Sequence, residues 1–453
     1  MFKTLLIANR GEIALRIARA CRELGIRVAV VYSTEDRHSR LVRMADDAVH
    51  IGPGPAAKSY LSIPAIIGAA LRVKADAIHP GYGFLSEDPD FAEVCAATGI
   101  TFVGPPPAVL EQLGDKSAAR ALMATVGIPM LPGSLTPVDR VEAQQVAADL
   151  GYPLIIKAVA GGGGRGMRAV YEAAEFGTAY RETRAVAQAL FGDNRVYVER
   201  YLEHARHVEI QVLADAYGAA IHLGERDCSV QRRHQKLIEE TPAPGLPPGL
   251  AGRMASAAVR GALAAGYVGA GTFEFLVDPA GGYHFMEVNP RIQVEHPVTE
   301  MACGVDLIAE QLRIAAGEPL SFTQADIAPR GAAIEVRINA EDAARGFAPT
   351  PGTLTEYLPA GGPFVRVDSY AFAGCRISPA YDSLIAKLIV WAPDREQAIR
   401  RMQRALAEFT VAGPAVCTTI PFLRTVLDNP TFRAGRHSTY LVDQMLAGEQ
   451  AAA

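Results

Sequence analysis

The sequence predicts a mixed α/β and α+β chain. A parallel α/β domain stands at the N-terminus, antiparallel strand pairs in the middle, and a strand-rich domain at the C-terminus. Three observations predict it. Residues 4–32 read strand, helix, strand, the unit that builds a parallel sheet. Segments between Val196 and Glu295 alternate polar and apolar residues with the period of two that marks strands. From Ala333 onward the pattern is rich in strands. At 453 residues the chain is too long for one hydrophobic core, and roughly three domains are expected.

Thr4–Ala8 is a short apolar strand, and Asn9-Arg10-Gly11 turns the chain. Glu12–Leu24 reads as a helix, with Ile13, Ile17, Ala20, Cys21 and Leu24 on one face and Gly25 as its stop. Arg27–Tyr32 is the second strand. The first turn lacks the Gly-x-Gly-x-x-Gly that lets backbone approach a pyrophosphate, which argues against a dinucleotide site. Ala77–His79 is a further strand, followed by the glycine- and aromatic-rich loop Pro80–Glu87. Open α/β sheets bind ligands at the carboxyl ends of their strands, although such loops also serve as plain turns. Thr101–Val103 closes this domain near Gly104-Pro105-Pro106-Pro107.

Asp115-Lys116 opens a helix over Ser117–Val126. Pro153–Val159 is a buried strand containing Lys157, and Gly161-Gly162-Gly163-Gly164-Arg165-Gly166 follows at once. Lysine is almost never fully buried unless paired, and a glycine loop can fold its N–H groups over an anion. Lys157 and the loop are therefore a phosphate-binding candidate, with a plain linker as the alternative. This is not a Walker loop, because the lysine precedes the glycines. Val196–Leu202 reads as a strand and connector where Glu199 and backbone groups can grip a nucleotide base. His207–Leu213 alternates, with His207, Glu209 and Gln211 on one face. Glu225–Lys236 is densely polar. It is either a solvated loop or, given its place between strands, the wall of a site, and Cys228 within it reads as structural.

Arg253–Ala265 reads as a helix. Gly271–Val277 alternates, and a turn at Asp278–Gly282 makes a hairpin that brings Glu274 beside Glu287. Read as extended chain, Glu287–His296 puts Glu287, Asn289, Arg291, Gln293 and Glu295 on one face. Two carboxylates and an amide oxygen suit a hard cation such as magnesium. Arg291 can clamp an anion, and Glu295 can act as a base. A salt-bridged surface strand is the bland alternative. Val305–Ala316 is a helix, and Ala333–Ala340 alternates with Glu335, Arg337 and Asn339 on one face. Gly352–Tyr357, Phe364–Ser369 and Leu384–Trp391 are strands, and Arg395–Phe409 is an amphipathic helix.

A net charge of −5 argues against a nucleic-acid partner. No apolar run is long enough to span a membrane, and the first residues read as a strand, not a signal peptide. The six cysteines are scattered without a Cys-x-x-Cys, which fits a reducing compartment and a cytoplasmic location.

Several stretches together resemble the biotin carboxylase subunit of bacterial acetyl-CoA and acyl-CoA carboxylases, an ATP-grasp enzyme. They are Ile7–Ala14, His79–Glu87, Lys157-Ala158 with the glycine loop, Glu225–Ser229 and Glu287–Glu300, in order along nearly the whole chain. The resemblance implies an N-terminal α/β domain over 1–113 and an ATP-grasp region over 114–317 with a mobile lid at about 130–202. It also implies a C-terminal domain over 331–446. It implies ATP contacts at Lys116, Lys157, Gly162, Gly163, Gly164, Glu199, Leu202, His207, Gln231, His234, Glu274 and Glu287. Magnesium or manganese ligands are implied at Glu274, Glu287 and Asn289. A bicarbonate pocket is implied at Lys236, Arg291, Gln293, Val294 and Glu295, and a biotin side at Tyr82, Gly83, Arg337 and Asp382. The catalytic residues would be Arg291, Glu295, Lys236 and Arg337.

The resemblance further implies a homodimer, with biotin brought on a separate carrier protein and the carboxyl group passed to carboxyltransferase subunits. No Met-Lys-Met attachment motif occurs, which favours a stand-alone subunit. The chain departs from the family's pattern at Arg200, where lysine is common, and at Thr419, where an asparagine is usual before Ile420. Two other functions compete. One is an ATP-grasp ligase joining an acyl phosphate to an amine, which lacks a use for Arg337 and the bicarbonate pocket. The other is a catalytically dead nucleotide-binding module, which the intact set of site residues disfavours.

Overall fold

A computed structural model describes residues 1–160 and 164–452, with the backbone alone for the last four of these. The predicted glycine-loop contacts Gly162 and Gly163 lie outside the described residues. The chain starts with β1 (Thr4–Ile7), α1 (Gly11–Glu23) and β2 (Arg27–Ser33), as its apolar periodicity dictates, and Gly11 turns between them at φ +69°. With β3 (Asp47–Gly52), β4 (Ala77–His79) and β5 (Thr101–Phe102) these strands form a parallel sheet in the order β3-β2-β1-β4-β5. The strand order reverses beside β1, so the loops after β1 and β4 meet at the carboxyl edge. Asn9 Nδ2 donates to Pro80 O at 2.7 Å and to Tyr82 O at 2.8 Å.

Helix α2 (Lys116–Thr125) follows, capped by Asp115, whose carboxylate accepts from the Ser117 and Ala118 N–H groups. A three-stranded antiparallel sheet then forms from β6 (Leu154–Ala158), β7 (Met167–Val170) and β8 (Val196–Arg200), with β6 in the middle. Helices α3 (Arg140–Leu150) and α4 (Ala173–Phe191) cover it, and its core, including Leu154, Ile156, Phe176, Tyr180 and Val198, is a separate cluster.

The centre is an eight-stranded antiparallel sheet. Its strands are β9 (Arg206–Ala214), β10 (Ala220–Arg232), β11 (Gln235–Thr241), β12 (Gly269–Val277), β13 (Tyr283–Asn289), β14 (Ala332–Asn339), β15 (Val365–Ser369) and β16 (Leu384–Ala392). They run in the order β13-β12-β9-β10-β11-β14-β16-β15. The polar stretch 225–236 is thus no loop but two strands joined by a turn at Arg233 and His234, both left-handed at φ 49° and 64°. Helix α5 (Leu250–Ala264) packs on this sheet, while α6 (His296–Cys303) and α7 (Leu307–Ala315) lie on its other elements.

The extended reading of 287–296 holds only to Asn289. Proline at 290 cannot donate to a ladder, and residues 290–295 form an irregular turn before α6, which has Pro297 in its first turn.

Candidate active site

A cavity of about 470 Å³ lies between the three-stranded sheet and the large sheet. Lys157, Glu199 and Leu202 reach it from one side, with Gly164 at the loop. His207, Gln231, His234, Lys236, Glu274, Glu287, Asn289 and Arg337 reach it from the other. Lys116, at the start of α2, and Arg291, Gln293, Val294 and Glu295, in the turn before α6, complete the wall. The residues predicted for nucleotide, metal and bicarbonate therefore converge, save the two glycines outside the described residues. Tyr82, Gly83 and Asp382 are not in this lining. Tyr82 instead donates to Glu12, which pairs with Lys387 Nζ at 3.0 Å, and Lys387 donates to Val294 O at 2.8 Å. This relay ties the Tyr82 loop to the turn before α6.

At one end of the cavity Glu199 is buried between Lys157 and Arg120, the latter 2.7 Å from its Oε2. Burial pushes the Glu199 carboxyl up, but Lys157 and Arg120 outweigh it and hold it below its ordinary value. Its carboxylate is thus committed to two cations, which leaves its backbone, more than its side chain, for gripping a base. Arg120 also lies over the Tyr197 ring, 5.2 Å from its centroid. Gly164 approaches His234 so closely that a Cβ there would sit 2.1 Å from the imidazole Cδ2.

The hairpin forms as its sequence predicts. Glu274 and Glu287 are direct cross-strand partners, and a β-bulge follows before Phe275 pairs Phe285. Lys116 Nζ lies 2.5 Å from Glu287 Oε2. Glu274 Oε1 accepts from Asn289 Nδ2 at 2.9 Å and Gln293 Nε2 at 2.8 Å, and His207 Nε2 lies 3.0 Å from Oε2. Burial raises the Glu274 carboxyl, but Lys236 and His207 overcome it and hold it well below the usual range. Two carboxylates, each facing an ammonium group, and the Asn289 oxygen on one wall of a cavity fit a magnesium-like ion. The side chains of His207, Glu209 and Glu274 also converge closely enough to hold a metal ion. There Glu209 is held by two cations, Arg226 Nε at 2.6 Å and Lys236 Nζ at 2.6 Å, whereas Glu287 in the other set pairs only with Lys116 among the described residues.

Glu295 is buried in the cavity wall. Lys236 Nζ is 2.5 Å from its Oε1 and Arg337 Nη2 is 3.0 Å from its Oε2. Burial raises its carboxyl, and Lys236, Arg337 and Arg226 together drive it far below the ordinary value. Burial opposes the Lys236 charge, while Cys228 and the carboxylates of Glu209, Glu274 and Glu295 hold its ammonium well above the usual range. Arg291 Nη2 donates to Asn289 Oδ1 at 2.9 Å, and its Nε lies 3.3 Å from Glu87 without forming a hydrogen bond among the described residues. That leaves a buried donor for an anion. Gln293 is used at both ends, donating to Glu274 and accepting from Arg226 Nη2 at 2.8 Å.

Sequence reasoning missed the layer behind these groups. Arg226 is wholly buried and bonds Glu209, Gln211, Thr272, Gln293 and Thr299. Arg120 and Glu239 are equally enclosed. The signal was present in the polar run 225–227 and in the polar faces of alternating strands, which read the same whether they face water or a site.

Residues 1–110 match the family model "Biotin carboxylase, N-terminal domain", and 335–444 match "Biotin carboxylase C-terminal domain". Residues 115–323 match "Carbamoyl-phosphate synthase L chain, ATP binding domain". The chain is 54% identical over 445 residues to a biotin carboxylase of Nostoc sp., covering 98% of this chain and 99% of that one. It is 52% identical to a pyruvate carboxylase subunit of Methanothermobacter thermautotrophicus, covering 99% and 91%. Among solved structures, a biotin carboxylase–β-γ-ATP complex from Campylobacter jejuni superposes with a TM-score of 0.95 at 44% identity, covering 98% and 99%. The biotin carboxylase domain dimer of Hydrogenobacter thermophilus 2-oxoglutarate carboxylase, complexed with MgADP, ADP and bicarbonate, gives 0.95 at 47% identity, covering 98% of each chain.

Proposed function

The chain belongs to the biotin carboxylase family, and from that premise we propose the part each residue plays. Its reaction is the ATP-dependent carboxylation of biotin with bicarbonate. The single observation that carries the role assignment is the position of Glu295, held between Lys236 and Arg337 in the wall of a cavity that Lys157 and Lys116 also line.

Lys116, Lys157, Gly164, Leu202, His207, Gln231, His234 and the backbone at Glu199 hold ATP. Residues 130–202, with their separate core, act as the lid that excludes water from the labile intermediate. Residues 1–113 and 331–446 form the flanking domains, with 114–317 between. Glu274, Glu287 and Asn289 would hold magnesium or manganese, which neutralises charge on phosphate oxygens when bound.

Bicarbonate enters against Arg291, whose Nε has no hydrogen bond among the described residues and donates to it, and against Lys236. While Lys236 and Arg337 hold Glu295, it is a weak base. Drawing those cations onto the substrate raises its basicity, so Glu295 takes the bicarbonate proton as the anion arrives. The bicarbonate oxygen attacks the γ-phosphate, the bond to the β,γ-bridging oxygen breaks and ADP leaves, giving carboxyphosphate, and Arg291 and Lys236 offset the developing charge. Carboxyphosphate breaks down to CO2 and phosphate. The phosphate takes the ureido proton of biotin, Arg337 stabilises the resulting enolate, and carboxybiotin forms. Tyr82, Gly83 and Asp382 border the biotin entrance, close enough that Arg337 and Asp382 both influence the Tyr82 hydroxyl.

Biotin arrives on a carrier protein, and carboxyltransferase subunits receive its carboxyl group. The chain works as a homodimer, a reading supported by the dimeric relative from Hydrogenobacter thermophilus. The complete assembly is an acetyl-CoA or acyl-CoA carboxylase. The 52% identity to a pyruvate carboxylase subunit favours a second reading, a 2-oxoacid carboxylase. Purified protein with ATP, magnesium and bicarbonate, with and without free biotin, tests the reaction. ADP release that needs bicarbonate, rises with biotin and yields carboxybiotin supports it. Bicarbonate-independent turnover, or turnover only with an amine acceptor, sinks it.

A further inference from the structure

Two carboxylates with no role in the reaction above face each other across the β11–β14 ladder. Glu239 and Glu335 are direct cross-strand partners, and both are wholly buried. Arg337 Nε donates to Glu239 Oε1 at 2.6 Å, while Glu239 Oε2 and both oxygens of Glu335 have no hydrogen-bond partner among the described residues. Like charges directly opposite destabilise a sheet, and a buried carboxylate without a partner gives up its charge by keeping its proton.

The nearby charged groups are already engaged. On β14, Arg337 is shared between Glu239 and Glu295. On β16, Lys387 is spent on Glu12 of α1 and on Val294 O. On β11, Lys236 binds Glu209, Glu274 and Glu295. At the start of α6, His296 Nδ1 meets Gln293 O at 2.7 Å, and burial together with Lys387 pushes its imidazole well below its ordinary range, so it is neutral. On the side of Glu335 away from Arg337 the neighbours are apolar: Ile389 stands opposite Glu335 on β16 and packs with Ala333 and Val298. Burial pushes the Glu335 carboxyl well above its usual range and that of Glu239 up to about 7.

We propose, resting on the role of Arg337 given above, that Glu335 is a positioning residue held as a neutral acid whose hydroxyl donates to Glu239 Oε2. The pair shares one proton. Glu239 then presents a single oxygen to Arg337 and aims its guanidinium at the biotin end of the cavity. With that proton lost, two adjacent carboxylates compete for Arg337 and draw it back from biotin.

The test uses the full chain with E335Q and E335A, and reads bicarbonate-dependent ADP release without biotin, carboxybiotin formation, and the pH profile of the latter. A neutral amide stands in for a neutral acid, so E335Q keeps the biotin-dependent rate and its alkaline fall moves to higher pH. E335A lowers that rate roughly tenfold or more, the scale on which residues behind a ligand act, in kcat, while ADP release without biotin is unchanged. The infrared C=O stretch of a protonated carboxylic acid appears in the wild-type protein and is missing from E335Q. An E335Q as impaired as E335A, an E335Q that does not fold, an E335A with the wild-type rate, or a wild-type spectrum without that band overturns the proposal. Wild-type protein that forms no carboxybiotin overturns the reading of the site instead, and the infrared band then decides the shared proton by itself.

Discussion

Lys236 Nζ lies 2.5 Å from Glu295 Oε1 and 3.0 Å from Glu274 Oε1, so one ammonium bridges the proposed base and the proposed metal ligand. Glu295 thus stays ionised and weakly basic until a substrate takes Lys236 from it. Glu295→Gln keeps the shape and loses the base. Carboxybiotin formation should fall by 10²-fold or more, in the range expected for a lost general base, while ADP binding stays near wild type. Near wild-type turnover in steady-state assays would remove Glu295 from that role.

Lys157 pairs with the buried Glu199 and lines the cavity. Lys157→Ala leaves Glu199 with Arg120, so the lid strand persists. The lost charge-assisted contact, worth about 1.5–3 kcal/mol, should weaken ATP binding by roughly ten- to a hundredfold. Calorimetric titration with a nonhydrolysable ATP analogue checks this, and an unchanged affinity would contradict it.

Glu287 and Glu274 form the proposed cation wall. A chelator should abolish turnover, and added magnesium should restore it. Glu287→Gln should raise the magnesium concentration needed for half-maximal rate without loosening the β12–β13 hairpin. A magnesium dependence identical to wild type would place the ion elsewhere, with His207, Glu209 and Glu274 as the next group to test.

Asp227 is buried behind the site, 2.5 Å from Arg206 and 3.2 Å from His437. Burial raises its carboxyl, but His437 and Arg206 overcome this and hold it far below the usual range. A depressed carboxyl contributes stability that is present above its unfolded value, near 3.8, and is lost as pH falls toward its folded value. Asp227→Asn should therefore cost about 3–5 kcal/mol at neutral pH by stranding the Arg206 guanidinium, and the cost should shrink in acid. Denaturant unfolding at neutral and acid pH measures both. An equal cost at both would mean that Asp227 is not ionised in the fold.

The parallel sheet, the Glu274–Glu287 hairpin and the convergence of lysines and carboxylates were legible because strand alternation, a glycine-rich turn and a βαβ start are local signals. The turn at 290–295 was not. Its polar residues keep the period of two past Pro290, so the pattern reads as strand while the missing N–H ends the ladder. Glu239, Glu335 and Arg226 were hidden for another reason. On a sheet whose polar face lines an interior cavity, alternation cannot tell that face from one in water. Arg120 lies on a helix whose partner Glu199 is 79 residues away, a contact that only the tertiary fold supplies.

Turnover with oxygen-18-labelled bicarbonate, followed by mass analysis of the phosphate released, decides whether this cavity activates bicarbonate by attack on ATP. One labelled oxygen should pass into each phosphate in the wild-type enzyme, and labelled phosphate should form about 10²-fold more slowly, or slower still, in Glu295→Gln. Unlabelled phosphate from a wild-type enzyme that makes carboxybiotin would contradict that route.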